Sequence, residues 1–366
     1  MAGPCTILSS AVRELPAVTP SFAAEAMFSY PSVSIIVCSR NRAAILARTL
    51  ADLGRNSIPA GGAELIVVDN GSTDDTAQVV ENARLTNFEV RLLKEPRPGV
   101  SHARNTGLAG ARGGIILFTD DDIHPAENWA EKLATPLRED RYDAVAGRIV
   151  LAPEIERAWI RPAHATCLAR MDGPVEGQVE MFCANMGFRR SVLEKVPGFD
   201  PELGPGALGF GEDSLFSWQL AAAGFRLGFI EQALVVHHPE PSRLQRAAWL
   251  DTSRKRGRTL AYLLHHWRHE TVRRPRLHWL YFFGKLTLRR LLQGPGHSRT
   301  DGCPLWEMSY VRRLALYEQF LVESRRPRNY TKYGLVKLGT RREDGPPAAG
   351  GQPAGVEREH GVDQLV

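Results

Sequence analysis

Val33-Ser34-Ile35-Ile36-Val37-Cys38 is a short, nearly continuous apolar run that stops abruptly at Ser39-Arg40-Asn41-Arg42. Such a run has the length and composition of a strand buried on both faces of a parallel sheet. Working outward, the pattern repeats. A helical stretch covers about 43–53, and Glu64-Leu65-Ile66-Val67-Val68-Asp69 is a second strand. Residues 73–84 read as a second helix, with Asp74 and Asp75 in a first turn where the helix dipole favours negative charge. Val90-Arg91-Leu92-Leu93 is a third strand, 101–110 a third helix, and Gly114-Ile115-Ile116-Leu117-Phe118-Thr119 a fourth strand ending at Asp120. Strands alternating with helices imply βαβ crossovers and an α/β fold with a mainly parallel sheet flanked by helices.

The second half is less regular. Residues 144–151 read as a strand, 152–180 as a long irregular connection, and 214–223 as a helix stopped by Gly224. Leu234-Val235-Val236-His237 reads as a last strand, closed by Pro239 and Pro241. The expected organisation is a loose extension over 1–30, an α/β domain over 31–242, a basic aromatic helical region over 243–342, and a disordered tail over 343–366.

Of the 366 residues, 43% are hydrophobic and 24% charged, too apolar for a wholly disordered chain. No apolar run approaches the roughly 18 residues of a membrane-spanning helix, which argues against an integral transporter or channel. The N-terminus lacks a basic start followed by an apolar core, so no secretory signal is expected. Cys5, Cys38, Cys167, Cys183 and Cys303 are odd in number and form no CxxC pair. That argues against a disulfide framework or a zinc finger, and for a reducing, cytoplasmic compartment.

Charge is unevenly spread. Residues 243–342 hold 23 Lys or Arg against 6 Asp or Glu, while the whole chain carries a formal +5, which leaves the remainder at −12. An anionic lipid surface, an anionic substrate or nucleic acid would each account for the asymmetry, as would a set of solvated helix faces. Trp267, Trp279, Tyr281, Phe282 and Phe283 are interleaved there with Arg268, Arg273, Arg274, Arg276 and Lys285. That mixture suits a helix lying in a membrane interface, or a helical cap whose aromatics are core.

In open α/β sheets, ligands bind outside the carboxyl ends of the strands. Four strand ends here carry polar chemistry: Cys38-Ser39-Arg40-Asn41, Asp69-Asn70-Gly71-Ser72, Asp120-Asp121-Asp122 and His237-His238. Each taken singly also reads as turn chemistry. Three adjacent carboxylates repel one another, and a divalent cation, Mg²⁺ or Mn²⁺, removes that penalty and can neutralise a leaving diphosphate. A solvated acidic turn is the alternative. His237 or His238 offers an imidazole to a metal, or is simply hydrogen-bonded. Gly211-Glu212-Asp213 reads either as helix capping or as a general base held on a rigid helix start. The Gly-rich lead-in over 204–211 allows close backbone approach or lid motion. Arg97 and Arg104 bring positive charge suited to phosphate oxygens.

In this order and spacing, five segments together resemble the inverting family 2 glycosyltransferases of the GT-A fold. They are Val33 through Arg42, Ile66 through Asp74, Gly99 through Gly107, Phe118 through Asp122, and Gly211-Glu212-Asp213. The resemblance covers about 31–242. It implies a nucleotide held by Cys38, Ser39, Arg40, Asp69 and Asn70, with Arg104 at the base or diphosphate. It implies Asp120 and Asp121 at the donor and a divalent cation on Asp120 and Asp122, to which the strand end adds His237. Asp213 becomes the base with Glu212 beside it, and Cys183, Asn185 and Gly211 line the sugar and acceptor pocket.

Two departures refine the expectation. Asp69-Asn70 stands where Asp-Asp is frequent, so a dTDP-sugar is as credible a donor as a UDP-sugar. There is no QxxRW motif and no spanning helix, which favours a non-processive enzyme over a polysaccharide synthase. The expected partners are a nucleotide-diphosphate sugar and a sugar or lipid-linked acceptor, in cell-surface polysaccharide or glycolipid synthesis. The chain is expected in the cytoplasm, with peripheral contact to an anionic membrane surface. A sugar-phosphate nucleotidyltransferase would open with a Gly-rich basic loop, and Ser39-Arg40-Asn41-Arg42 has no glycine. A basic nucleic-acid-binding module leaves the acidic strand ends unexplained, so no nucleic acid is expected.

Overall fold

The computed structural model describes residues 32–174, 179–293 and 301–339. The expected N-terminal extension and C-terminal tail lie outside the described residues, which belong to one compact unit. Strands β1 (Val33–Ser39), β2 (Ala63–Asp69), β3 (Glu89–Lys94) and β4 (Ile115–Asp120) pair in the order β3-β2-β1-β4, all parallel. Helices α1 (Ala43–Leu53), α2 (Thr76–Asn82) and α3 (Val100–Gly110) make the crossovers. Ile35, Ile36, Leu65, Ile66 and Val67 are fully buried, which is the physical reason the apolar runs do not alternate.

Beyond β4 the sheet turns mixed. It continues through β7 (Asn185–Arg189), β6 (Ala144–Leu151), β8 (Leu227–His237) and the short β5 (Ile123–Pro125). β7 runs antiparallel to both β4 and β6, β6 and β8 are parallel, and β5 is antiparallel to β8. Helix α4 (Trp129–Arg138) packs on this half, and α6 (Glu212–Ala222) leads into β8.

Several boundaries differ from the sequence reading. The second helix starts at Thr76, not Thr73, because the Asp74 carboxylate accepts bonds from the Thr76 and Ala43 amides and holds 73–75 as a turn. The stretch 152–180 includes a short helix, α5 (Pro162–Cys167), opened by a proline whose fixed φ suits a first turn. The last strand is 11 residues long rather than four. Its first half was hidden by Gly228 and by exposed Glu231 and Gln232, and it pairs with β6 across a register shift between Gly147 and Ile149.

Among the described residues three long helices follow: α7 (Arg246–Leu263), α8 (Pro275–Gln293) and α9 (Leu305–Glu323). α7 and α9 pack side by side. Buried Glu307 on α9 accepts from Arg246 and from Arg290 of α8, tying the three together. A second knot fixes this layer to the sheet domain. The buried Asp200 carboxylate accepts from Tyr262 (2.6 Å), Tyr330 (2.8 Å) and Lys337 (2.6 Å). Neighbouring Glu202 takes Arg326, Asn329 and Lys337.

Burial raises the Asp200 carboxyl, but Lys337 and the hydroxyls outweigh it and hold it below the usual aspartate range. A depressed folded-state value adds stability above the ordinary aspartate range, and that stability is lost as pH falls through it. Asp200→Ala removes one of the two carboxylates that Lys337 meets and the acceptor of two buried hydroxyls, and is expected to cost about 3 kcal/mol in a urea titration. The difference from wild type should shrink on acidification, and equal midpoints at neutral pH would contradict this role.

Candidate active site

The carboxyl ends of the parallel strands come into register. Ser39 lies opposite Asp69, and Cys38 opposite Asp120. Above these ends lies a cleft of about 500 Å³. Cys38, Ser39, Arg40, Asn70, Arg104, Asp120, Asp121, Asp122, Gly211, Glu212, Asp213 and His237 all line it. Three expected residues do not. Asp69 is buried below the rim, where its carboxylate accepts the Ser72 amide at 2.9 Å. Cys183 and Asn185 are buried beneath the cleft. The expectation that Asn185 lines a substrate pocket is corrected: its carbonyl accepts from Trp129, and its amide donates to the Arg148 and Ala233 carbonyls. It is a bracket between β7, α4 and β8, with no polar group to spare.

Arg104 organises the acidic end. Its side chain, buried on α3, is ion-paired to Glu212 and reaches Asp120 Oδ1 at 3.4 Å. Glu212 and Asp213 sit in the first turn of α6, which starts from Gly211 in the left-handed region at φ 90°. A Cβ on Gly211 would lie 2.4 Å from Thr259 Cγ2, so α7 presses directly on the start of α6. Burial, with the Glu212 carboxylate beside it, pushes the Asp213 carboxyl well above the usual range, against the pull of Arg104. A carboxyl so placed is a stronger base than an ordinary aspartate.

Asp121 and Asp122 turn inward. Asp121 accepts from Ser39 Oγ at 2.7 Å and from Arg42 Nη1 at 2.5 Å, and burial still pushes it up to about 7. Asp122 accepts from Arg42 Nη2 at 2.9 Å, and His237 and Arg42 hold it low despite burial. Arg42 was not singled out as a site residue; nothing local to Asn41-Arg42 signals a bridge to residues 79 and 80 positions away. Asn70, also at the rim, donates to the Glu95 and Arg97 carbonyls and accepts the Gly99 amide. An aspartate there could accept the amide but donate nothing, so the asparagine holds the 95–99 loop.

His237 Nδ1 donates to the Leu168 carbonyl at 2.7 Å, which turns Nε2 toward Asp122 Oδ1 at 3.4 Å. Nε2 and the carboxylate oxygen thus face each other across a gap that a proton or a shared cation bridges. A backbone carbonyl on the other nitrogen is the usual support of a metal-bound histidine. The donor chemistry therefore fits a divalent cation on Asp122 and His237, with substrate phosphates and water completing the shell. No cluster of three such ligands exists among the described residues, and Asp120 faces Arg104 instead. His238 points away, bonded to Glu154 at 2.7 Å.

Burial pushes the Cys38 thiol up to about 12 and raises that of Cys183, so neither provides a thiolate nucleophile at neutral pH. Glu180, Phe182, Trp218, Arg243, Arg256 and Arg312 complete the cleft and were not foreseen. The charge asymmetry marked the region of the last three without giving their direction.

Removing Arg104 strands buried Glu212 next to Asp213. Arg104→Met is expected to lose about 3–5 kcal/mol of stability, the cost of breaking a buried pair. Adding Glu212→Gln should recover much of it in a double-mutant cycle, and strict additivity would contradict the pairing.

A family profile for glycosyl transferase family 2 matches residues 34–197. A pre-mycofactocin glycosyltransferase of Mycobacterium tuberculosis is 31% identical over 57% of this chain and 43% of that one. The chain thus spans less than half the length of that relative. The succinoglycan biosynthesis protein ExoM of Rhizobium meliloti is 30% identical over 64% of this chain and 76% of its own. Among solved structures, the mannosyltransferase PcManGT of Pyrobaculum calidifontis, in complex with GDP-Man and Mn²⁺, is 19% identical over 81% of this chain and 74% of that one, with a TM-score of 0.48. The profile covers β1 through β7, whose ends bring Ser39, Asn70 and Asp120 to the cleft, and stops short of α6, and the identity to ExoM extends over most of that relative. The chain belongs to glycosyl transferase family 2, and its α/β sheet is the GT-A fold of that family.

Proposed function

We propose that this chain is a non-processive, inverting glycosyltransferase that moves a sugar from a UDP- or dTDP-linked donor to an acceptor hydroxyl. The observation that carries this reading is Asp213, a carboxyl of raised basicity on a rigid helix start, facing the same cleft as Arg104 and Asp120. Asp213 takes the proton of the acceptor hydroxyl as that oxygen attacks the anomeric carbon. Attack from the face opposite the nucleotide inverts the configuration, through a transition state with oxocarbenium character. Arg104, fixed by Glu212, stabilises the departing diphosphate. Arg40, exposed at the mouth, and the backbone around Ser39 and Asn70 receive the nucleotide. Asp122 and His237 would hold a divalent cation, Mg²⁺ or Mn²⁺, which supplies further neutralisation of the leaving group. ExoM is named for succinoglycan biosynthesis, which favours a polysaccharide or glycolipid product.

The acceptor is approached from a membrane surface. No described helix is long and apolar enough to cross a membrane, but α8 carries two apolar stripes. Trp279, Phe282 and Leu286 face the protein. Leu277, Leu280, Tyr281, Leu288, Leu291 and Leu292 face solvent, the last two 74% and 77% exposed. Arg273, Arg274, Arg276, Lys285 and Arg289 flank them. An apolar stripe bordered by cations suits the interface of an anionic bilayer.

Asp213→Asn should retain nucleotide binding and lose about 10²–10⁴ in kcat. Wild-type kcat should fall as pH drops through the raised Asp213 value. Full turnover by the variant would refute the assignment. In flotation assays the chain should follow vesicles containing anionic lipid over neutral ones, and Leu288→Glu with Leu292→Glu should abolish this without lowering Tm. Equal flotation with both vesicles would exclude the membrane reading.

A further inference from the structure

We infer that Arg243, Arg256 and Arg312 form a second anion site in the cleft, built to hold a diphosphate carried by the acceptor. The inference rests on the glycosyl-transfer reading above and names the acceptor's chemical class. The three side chains come from the segment before α7, the middle of α7, and α9, and all line the cleft beside Thr166, Cys167 and Glu180. Their convergence is built into the helix packing. A Cβ on Gly257 would lie 2.2 Å from the Arg312 carbonyl oxygen, so α7 and α9 meet backbone to backbone at this point. Only glycine allows that approach, and it sets Arg256 beside Arg312.

Other arginines of the same layer are paired: Arg246 and Arg290 with Glu307, Arg326 with Glu202 and Glu323. The three in the cleft have no ion pair among the described residues. Arg243 donates to the Cys167 carbonyl at 3.3 Å and Arg256 to Cys167 Sγ at 2.9 Å. The Arg312 side chain has no hydrogen bond or ion pair among the described residues. Its surroundings are cationic: burial, with Arg256 and Arg313 nearby, lowers it to about 10. Glu180, a cleft carboxylate near Arg256, is pushed by burial toward its neutral form. Three half-buried guanidiniums with no ion pair among the described residues, beside a Glu180 of weakened charge, cost the free protein stability. A doubly charged group with several oxygens, bound by planar forks, offsets that cost; a single carboxylate leaves the surplus.

The location suits the acceptor. Thr259, one turn along α7 from Arg256, touches Gly211 and donates to the Phe210 carbonyl at 3.0 Å, against the start of the helix that carries Asp213. The site thus adjoins the base on the α7 side, while the donor end is built from β1, β2 and β4. The diphosphate can come from a lipid-linked acceptor or from a soluble glycosyl diphosphate, which share this chemistry.

Calorimetric titration of the full chain with inorganic pyrophosphate in EDTA tests the site. Wild type should bind, and Arg256→Gln with Arg312→Gln should weaken binding about 100-fold, as two charge-assisted contacts are lost. Tm should hold or rise, since repulsion is relieved; a structural pair of arginines would lower it. Arg256→Lys with Arg312→Lys, and Arg243→Gln alone, should each lose only about 10-fold, and they decide the matter should the double glutamine variant fail to fold. The titration is repeated with the cleft loaded with UDP and Mn²⁺. Unchanged pyrophosphate binding supports a separate site, and complete displacement overturns it. If UDP itself does not bind, the donor reading fails, while the EDTA titration still reads the arginines. Farnesyl diphosphate binding more tightly than pyrophosphate supports the lipid-linked source, and equal binding the soluble one. No binding to wild type, or equal binding to wild type and variants, overturns the proposal.

Discussion

Five carboxylates meet at one rim of this sheet, and two guanidiniums keep them there. Asp120, Asp121, Asp122, Glu212 and Asp213 border one cleft, with Arg104 and Arg42 set among them. In a low-dielectric wall, unpaired carboxylates so close would repel, protonate or open the fold. Arg104 limits the repulsion at the α6 end and Arg42 at the β4 end, although burial still keeps the Asp213 and Asp121 carboxyls raised. Each also joins elements distant in sequence: α3 to α6 through Glu212, and the loop after β1 to the end of β4 through Asp121 and Asp122. The same contacts that hold the rim together therefore set its chemistry. Asp122 is kept ionised beside His237, and Asp213 is left as the group that can take a proton.

The C-terminal helices belong to this arrangement. Thr259 of α7 presses on Gly211, and the Asp200 knot ties Tyr262, Tyr330 and Lys337 to the loop leading toward α6. The position of Asp213 is thus set by packing from a layer outside the profile match at 34–197. Loosening that layer acts on Asp213 through the helix that carries it.

Much of this was legible in the sequence, and the remainder was not for definable reasons. Strands buried on both faces give continuous apolar runs, so β1, β2 and β4 could be read directly. Asp120 through Asp122 and Glu212-Asp213 stood out because clustered acids after apolar runs are costly. Which acid faces the cleft was hidden, since Asp121 and Asp122 are turned inward by a side chain 79 and 80 positions away. Asn185 and Asn70 carry the right chemistry for binding, yet their hydrogen bonds are consumed by backbone carbonyls and a tryptophan. The start of β8 was masked by exposed polar residues on an outer strand, where no periodic apolar signal is required. The basic region declared its charge, but the direction of Arg243, Arg256 and Arg312 depends on the contact at Gly257.

The central claim is that Asp213 delivers the acceptor oxygen directly to the anomeric carbon in one displacement. Proton NMR of the first glycoside formed, compared with the donor's anomeric configuration, tests it most directly. A single displacement predicts a product of opposite anomeric configuration from the first turnover. A product that keeps the donor's configuration would contradict the account.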